Sequence, residues 1–121
     1  PLLDMRRYHL LLAGASWMAE YGDPDVAEDW EYLRGYSPYH LVQSREEREY
    51  PPTLLMSSTR DDRVHPGHAR KMAAVMMESG HDVRYFENME GGHAGAADNS
   101  QTATRWGLVL EFMGRRLGLG R

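Results

Sequence analysis

Two side chains of this sequence have the chemistry of a cooperating acid and base, an aspartate at position 61 and a histidine at position 93. A carboxylate beside an imidazole fixes the tautomer of the ring and stabilises its cationic form, which is how an orienting acid supports a general base. Each residue follows a strand-like run, at residues 53–58 and 82–88 respectively. The alternative is a surface aspartate and a loop histidine that never touch, and the spacing alone leaves both interpretations open.

The elements that must position these residues are predicted as strand, helix, strand and helix. A strand can begin after Pro51-Pro52, and the polar loop at residues 59–63 ends it. Pro66 suits the first turn of a helix, and Gly80 is a stop signal. Strands joined through a helix of this length are expected to be parallel, with a right-handed crossover. Both polar loops then lie at the carboxyl edge of the sheet, where open α/β sheets bind their ligands.

A final helix is predicted in the last quarter of the chain. Asn99 or Ser100 is expected to cap its start, and Gly118 is expected to end it. Apolar residues recur at helical spacing and predict a buried face composed of Ala103, Trp106, Val109, Leu110, Met113 and Leu117.

The first half of the chain differs in texture from the second. Residues 1–50 carry 10 acidic and 5 basic side chains, whereas residues 51–121 carry 8 and 9. The first half predicts a helix around residues 26–33, capped by Asp25 or a neighbouring acid, and shows no strong strand. Two strands are too few for a stable open sheet, which typically has about 4–6. We therefore expect an α/β fold in which the chain is the C-terminal portion of a larger domain, with a mostly helical segment before a parallel β-α-β-α unit.

Composition argues against several classes of function. The 121 residues carry a net charge of −4 and no cysteine, which excludes disulfide scaffolds and cysteine zinc sites and disfavours nucleic acid as a partner. No apolar run approaches the roughly 18 residues of a membrane span. His65 and His68 with Asp61 and His93 resemble a set of metal ligands, but the Pro-Gly between the two histidines spoils a regular helical face. We expect no metal, no cofactor, no nucleic acid and no membrane partner.

The sequence offers an acid and a base without a matching nucleophile. In α/β-hydrolases the order along the chain is Ser, Asp, His, with the serine in a Gly-x-Ser-x-Gly turn between a strand and a helix. Ser16, two residues after Gly14, comes closest, but the second glycine and a preceding strand are missing. Ser37, Ser57 and Ser58 fit less well.

Five short motifs occur in order along the chain. They are Asp-Met-Arg-Arg-Tyr-His at 4–9, Ser-Trp-Met-Ala-Glu-Tyr-Gly at 16–22, Tyr-Ser-Pro-Tyr-His at 36–40, Tyr-Pro-Pro-Thr-Leu-Leu-Met at 50–56 with Asp-Asp-Arg-Val at 61–64, and Gly-His-Ala-Gly at 92–95. Together they resemble the prolyl oligopeptidase family of serine peptidases over nearly the whole chain. Each motif alone is weak, and the ordered set is specific.

The resemblance implies catalytic roles for two residues. Asp61 is similar in place to the acid of a Ser-Asp-His triad, with Asp62 as the less favoured neighbour, and His93 matches the general base. The family's nucleophilic serine and oxyanion-hole tyrosine have no counterpart here, and the resemblance implies that they precede Pro1, as does the β-propeller that gates substrate size.

The resemblance also implies a substrate pocket. Arg63 matches the arginine that hydrogen-bonds a substrate carbonyl, and Trp17 matches the indole that stacks on a substrate proline ring. Tyr21 and Val64 match pocket walls. Taken alone, Trp17 favours an ordinary core aromatic, and Arg63 is equally compatible with a salt bridge to Asp62 or Asp61.

The resemblance implies a peptidase that hydrolyses short peptides after proline, with the isolated 121 residues inactive. The alternatives are a non-catalytic α/β binding or interaction module, and a sibling aminoacyl or dipeptidyl peptidase. The expected partners are a short peptide substrate and the remainder of the same peptidase chain, and the isolated piece is expected to self-associate through exposed apolar surface. A cytoplasmic location is expected, with the periplasm as the alternative.

Overall fold

The computed structural model describes residues 1–119 and confirms the predicted order of elements. Its second half is a parallel β-α-β-α unit, and its first half is mostly helical. The first half contains α1 (Met18–Tyr21), α2 (Ala27–Arg34) and three 3-10 helices at Tyr8–Leu10, Leu12–Trp17 and Pro38–Leu41. The second half contains β1 (Thr53–Ser58), α3 (Gly67–Glu78), β2 (Val83–Asn88) and α4 (Asn99–Leu117).

The two strands pair in parallel over their full length, from Thr53 opposite Val83 to Ser58 opposite Asn88. Backbone hydrogen bonding continues past the strand ends, because the Thr59 N–H donates to the Asn88 carbonyl over 2.9 Å. Helix α3 packs against both strands, as expected for a parallel crossover. The loops that follow β1 and β2 therefore start side by side.

A carboxylate network holds this end of the sheet. Glu87 accepts hydrogen bonds from the Thr59 hydroxyl (2.6 Å), the Tyr85 hydroxyl (2.5 Å) and the Arg70 guanidinium. The bond to Arg70 is the largest cause that lowers the pKa of Glu87 to about 2. Because Arg70 belongs to α3 and Thr59 follows β1, one ionised side chain joins the helix to the ends of both strands.

Glycines end the two long helices as predicted, but both predicted caps at helix starts are wrong. Gly80 and Gly118 follow α3 and α4 with φ of 85° and 68°, in the left-handed region that glycine adopts without a Cβ penalty. Helix α4 is capped by Asp98, whose carboxylate accepts the Gln101 N–H over 2.8 Å. A cap needs an extended backbone outside the first turn, and Asn99 is already helical.

Helix α2 begins without a side-chain cap. The residue before it is Val26 and not the expected Asp25. The Asp25 N–H donates to the Asp23 carboxylate, and the Asp25 carboxylate lies 3.0 Å from His9 Nε2. Asp25 therefore contacts His9, 16 positions earlier in the chain, instead of capping the helix, and the local sequence does not reveal this contact.

The predicted buried face of α4 is largely exposed. Trp106 and Leu110 are 56% and 68% exposed, whereas Val109 and Phe112 are half-buried. A groove of about 540 Å³ separates the sheet from Phe112 and its neighbours on α4. Helical spacing shows which residues share a face but not whether another element covers it. No helix within residues 1–119 is long and apolar enough to cross a membrane.

The first half has a small core of its own. Met5, Tyr8 and Leu33 are buried, and further aromatic residues pack against them. The chain crosses itself closely at Gly14, where a Cβ would lie 1.6 Å from the Tyr8 carbonyl oxygen. Only glycine fits this crossing, which sets the path of the 3-10 helix that ends at Trp17.

Buried polar groups attach this first half to α3. The Asp4 carboxylate is 2% exposed and pairs with Lys71 of α3. His68, also on α3, accepts the Asp4 N–H at Nδ1 over 3.1 Å. Since Nδ1 is an acceptor, the ring proton sits on Nε2, and burial lowers the pKa of His68 to about 4. A neutral His68 and an ionised Asp4 therefore hold the two halves together at neutral pH.

Replacing Lys71 by methionine is expected to destabilise the intact protein by about 1–3 kcal/mol. The change leaves the Asp4 carboxylate buried without its cation. The expected loss of stability is smaller than for a fully buried pair because Lys71 is 37% exposed. The shift would be measured as a lower thermal midpoint. Arg115→Met is the control, because its pair with Glu111 is exposed on both sides, and its midpoint is expected to change little. Equal midpoints for both variants would contradict this account.

Candidate active site

The structure places the predicted acid and base in direct contact. His93 Nδ1 lies 3.0 Å from each carboxylate oxygen of Asp61. The Asp61 side chain is 15% exposed and that of His93 is 43% exposed, so the acid is sheltered and the base is open to solvent. Among the described residues, Asp62 makes no contact with the imidazole. The geometry therefore pairs His93 with the first of the two neighbouring acids.

Backbone donors hold the Asp61 carboxylate in place. The N–H groups of Arg63 and Val64 donate to Asp61 Oδ1 over 3.0 and 2.9 Å. Burial alone raises the pKa of Asp61, but these two donors and the contact with His93 outweigh it and hold the pKa below its ordinary value. An ionised Asp61 is a pure acceptor. It therefore orients His93 with the proton on Nδ1 and the lone pair on Nε2.

The loop that carries His93 runs beside the loop that carries Asp61. The Arg60 N–H donates to the Gly91 carbonyl over 3.3 Å, one step beyond the bond that extends the sheet. The loop then turns through a hydrogen bond from the Gly95 N–H to the Gly92 carbonyl, with Gly95 at φ 88°. This path returns the chain towards α4 and leaves His93 facing the acid.

A cavity of about 170 Å³ opens beside the pair. Its lining includes Asp61, Val64, His93 and the first residue of the sequence, Pro1. Within residues 1–119, no serine hydroxyl is hydrogen-bonded to His93. Ser16, the nearest sequence match to a nucleophile, donates its hydroxyl proton to the Ala13 carbonyl.

The residues predicted to bind substrate fall into two groups. Arg63 and Val64 belong to the loop that follows β1 and carries Asp61, called the acid loop below. The Arg63 guanidinium makes no ion pair or hydrogen bond with the rest of the described chain. Trp17 and Tyr21 do not line the cavity; both are half-buried and pack against the core that contains Tyr8. A hydrogen bond from the Ala13 N–H to the Arg63 carbonyl (3.3 Å) joins the segment before Trp17 to the acid loop.

The four side chains considered as metal ligands do not assemble. His65 Nδ1 accepts the Gly67 N–H over 2.9 Å, and His68 faces the first segment instead of the pair. Within residues 1–119, the three potential ligands that do approach one another within 4.8 Å are His9, Asp23 and Asp25.

Sequence reasoning missed the residues that shape the histidine loop. The side chain of Asn88, the last residue of β2, bonds to the loop and to Gln101 of α4. Arg105 donates to the Ala94 carbonyl over 3.1 Å. The available signals were an asparagine at a strand end and a glutamine three residues after the helix cap.

Comparison with known proteins matches residues 1–120 to the model of the prolyl oligopeptidase family. An uncharacterized peptidase, y4nA, of Sinorhizobium fredii is 47% identical over 117 residues, which are 97% of this chain and 16% of that protein. The prolyl endopeptidase of Elizabethkingia miricola is 45% identical over 76 residues, 62% of this chain and 10% of that protein.

Among solved structures, a post-proline cleaving enzyme from Rickettsia typhi superposes with a TM-score of 0.91 at 32% identity, over 98% of this chain and 17% of that one. The fold, an α/β piece with a parallel two-stranded sheet that superposes on these relatives, agrees with the predicted class. The chain spans about a sixth of the length of curated relatives such as y4nA. Sequence motifs, fold and family model agree over this span, and the chain belongs to the prolyl oligopeptidase family.

Proposed function

We propose that this chain supplies the acid and the base of a Ser-Asp-His triad in a serine peptidase that cleaves peptide bonds after proline. The observation that carries the proposal is the contact of His93 Nδ1 with both carboxylate oxygens of Asp61 at 3.0 Å. Membership of the family supports it, because relatives of this chain are named prolyl endopeptidases.

In the proposed reaction, His93 Nε2 removes the proton of a serine hydroxyl as the serine oxygen attacks the carbonyl carbon of the scissile bond. The imidazolium that forms is stabilised by the ionised Asp61 carboxylate. His93 then gives this proton to the leaving amine as the C–N bond breaks. Water hydrolyses the acyl-enzyme by the same route in reverse, with His93 again as base and then as acid.

We assign the nucleophile to a part of the peptidase outside these 121 residues. Two features support this assignment: the His93 ring makes no contact with a serine among the described residues, and a cavity of about 170 Å³ adjoins the pair. The remainder of the peptidase chain is then the partner that completes the site.

Four residues are proposed to select the substrate. A free guanidinium at Arg63, two positions from Asp61, offers a rigid donor fork to a substrate carbonyl. Val64 lines the cavity beside the pair. Trp17, with Tyr21 nearby, offers a flat apolar surface to a proline ring at low entropy cost. Two other functions remain as rivals, a non-catalytic binding module and a sibling peptidase without a preference for proline.

Removing either member of the pair is expected to abolish peptidase activity in the intact protein. Asp61→Asn and His93→Ala should each lower kcat by at least about 10³-fold, because His93 then loses its orientation or is missing. The rate would be measured on an Ala-Pro 4-nitroanilide. The isolated 121 residues are expected to be inactive on the same substrate.

Asp62→Asn is the matched control for the acid, since Asp62 neighbours Asp61 and does not contact His93 within the described structure. Its kcat is expected to stay within about twofold of the parent value. A normal rate for the His93→Ala variant would contradict the triad assignment. An intact protein without any hydrolase activity would favour the binding module.

Replacing Arg63 by methionine is expected to lower kcat/KM for the Ala-Pro substrate by about 10- to 100-fold, the effect of losing one hydrogen bond to a charged group. Arg60→Met is the control, because Arg60 lies in the same loop and only its backbone is bonded. Comparing Ala-Pro and Ala-Lys amides on the parent protein separates the sibling activity, and a preference for lysine would remove the assignment to proline.

A further inference from the structure

The amide side chain of Asn88 is fully used by the loop that carries His93 and by Gln101 of α4. Its Nδ2 donates to the Gly95 carbonyl and to Gln101 Oε1, both over 2.8 Å. Its Oδ1 accepts the N–H groups of Glu90 (3.1 Å) and Gly91 (3.3 Å). A primary amide has two donors and one oxygen with two lone pairs, so one side chain binds the loop both before and after His93.

The amide of Gln101 bridges the same loop from the other side. Its Oε1 accepts the Ala97 N–H over 2.9 Å in addition to the bond from Asn88. Its Nε2 donates to the Glu90 carboxylate over 2.8 Å. The cap residue Asp98 fixes the Gln101 backbone, so the first turn of α4 is a rigid support for this bridge.

The loop closes tightly around these amides. Gly91 is buried, and a Cβ there would lie 2.7 Å from Asn88 Nδ2 and 2.8 Å from the Gly95 carbonyl oxygen. A Cβ on Gly95 would meet the Arg105 guanidinium at 2.6 Å. A side chain at Gly91 is therefore incompatible with this path of the loop. The contacts with the amides restrict a segment that its glycines would otherwise leave highly flexible.

Neither amide is bonded to the His93 or Asp61 side chain. Their effect on the pair passes through the backbone on both sides of His93. A displacement of about 1 Å at a reacting group costs roughly 100-fold in rate. A loop that moved by that amount would therefore displace His93 from Asp61 and lower the catalytic rate.

We infer that Asn88 and Gln101 are positioning residues, which hold His93 against Asp61 by fixing the loop between β2 and α4. The inference rests on the proposed function, because it assumes that His93 is the general base.

The test uses the intact peptidase with Asn88→Ala, Asn88→Asp and Gln101→Met. Each removes the bond between the two amides, and Asn88→Asp keeps the side-chain shape while it replaces both donors by acceptors. For each variant, kcat on the Ala-Pro 4-nitroanilide is expected to fall about 10- to 100-fold while KM stays within about twofold. Thr102→Ala is the matched control, since Thr102 is the next residue and its hydroxyl donates to the carbonyl of the cap residue Asp98 and not to the loop between β2 and Asp98.

A second measurement separates positioning from loss of stability. Hydrolysis of the amide is expected to fall further than hydrolysis of a 4-nitrophenyl ester with the same acyl group, because only the amine leaving group needs a proton from His93. Lys71→Met, destabilised at a distance from the loop, should leave the ratio of the two rates unchanged.

Two results would overturn the inference. One is a full kcat in the neutral variants Asn88→Ala and Gln101→Met while His93→Ala is inactive, which leaves the proposed function standing. The other is an equal fall in the rates of amide and ester hydrolysis that parallels the fall in thermal midpoint from variant to variant. Activity in the His93→Ala variant would instead refute the proposed function itself.

Discussion

The candidate site depends on the parallel pairing of β1 with β2. Thr53 lies opposite Val83, and the pairing continues to Ser58 opposite Asn88. Because parallel strands end at the same edge of a sheet, this pairing brings the two following loops side by side. Backbone bonds from Thr59 and Arg60 continue the pairing into the loops. The contact between Asp61 and His93, 32 positions apart, is the consequence of this register. A shift of one residue would turn the side chains at the strand ends to the other face.

A second constraint fixes residues 1–50 to the β-α-β-α unit. The first half has a core of only a few residues, so its attachment depends on buried polar groups that belong to α3. Asp4 is bonded to Lys71 and, through its backbone, to His68. A buried carboxylate is costly without its cation, so the Asp4–Lys71 pair favours one arrangement of the two halves. A hydrogen bond from the Ala13 N–H to the Arg63 carbonyl also joins the segment before Trp17 to the acid loop.

Asp61 and His93 lie on two loops that are stabilised in different ways. The acid loop is short and its carboxylate is held by two backbone N–H groups, so the charge is fixed before any substrate binds. The histidine loop is rich in glycine and relies on side chains from β2 and α4 for its shape. One loop is rigid by its own hydrogen bonds, and the other is rigid because neighbouring elements hold it.

The amino-acid pattern was enough to predict strand β1 at residues 53–58, the order of elements, the placement of Asp61 and His93 after neighbouring strands, and the family resemblance. These follow from local composition, from spacing and from the rule that a helical crossover gives parallel strands. The folded structure was needed to show that the imidazole contacts Asp61, which the resemblance favours over Asp62. It was also needed to show that Asp98 caps α4, that much of the apolar face of α4 stays uncovered within the described residues, and that Asn88 and Gln101 shape the histidine loop. The reason is physical: a hydrogen bond between distant residues depends on distance and direction in space, and a pattern along the chain contains neither.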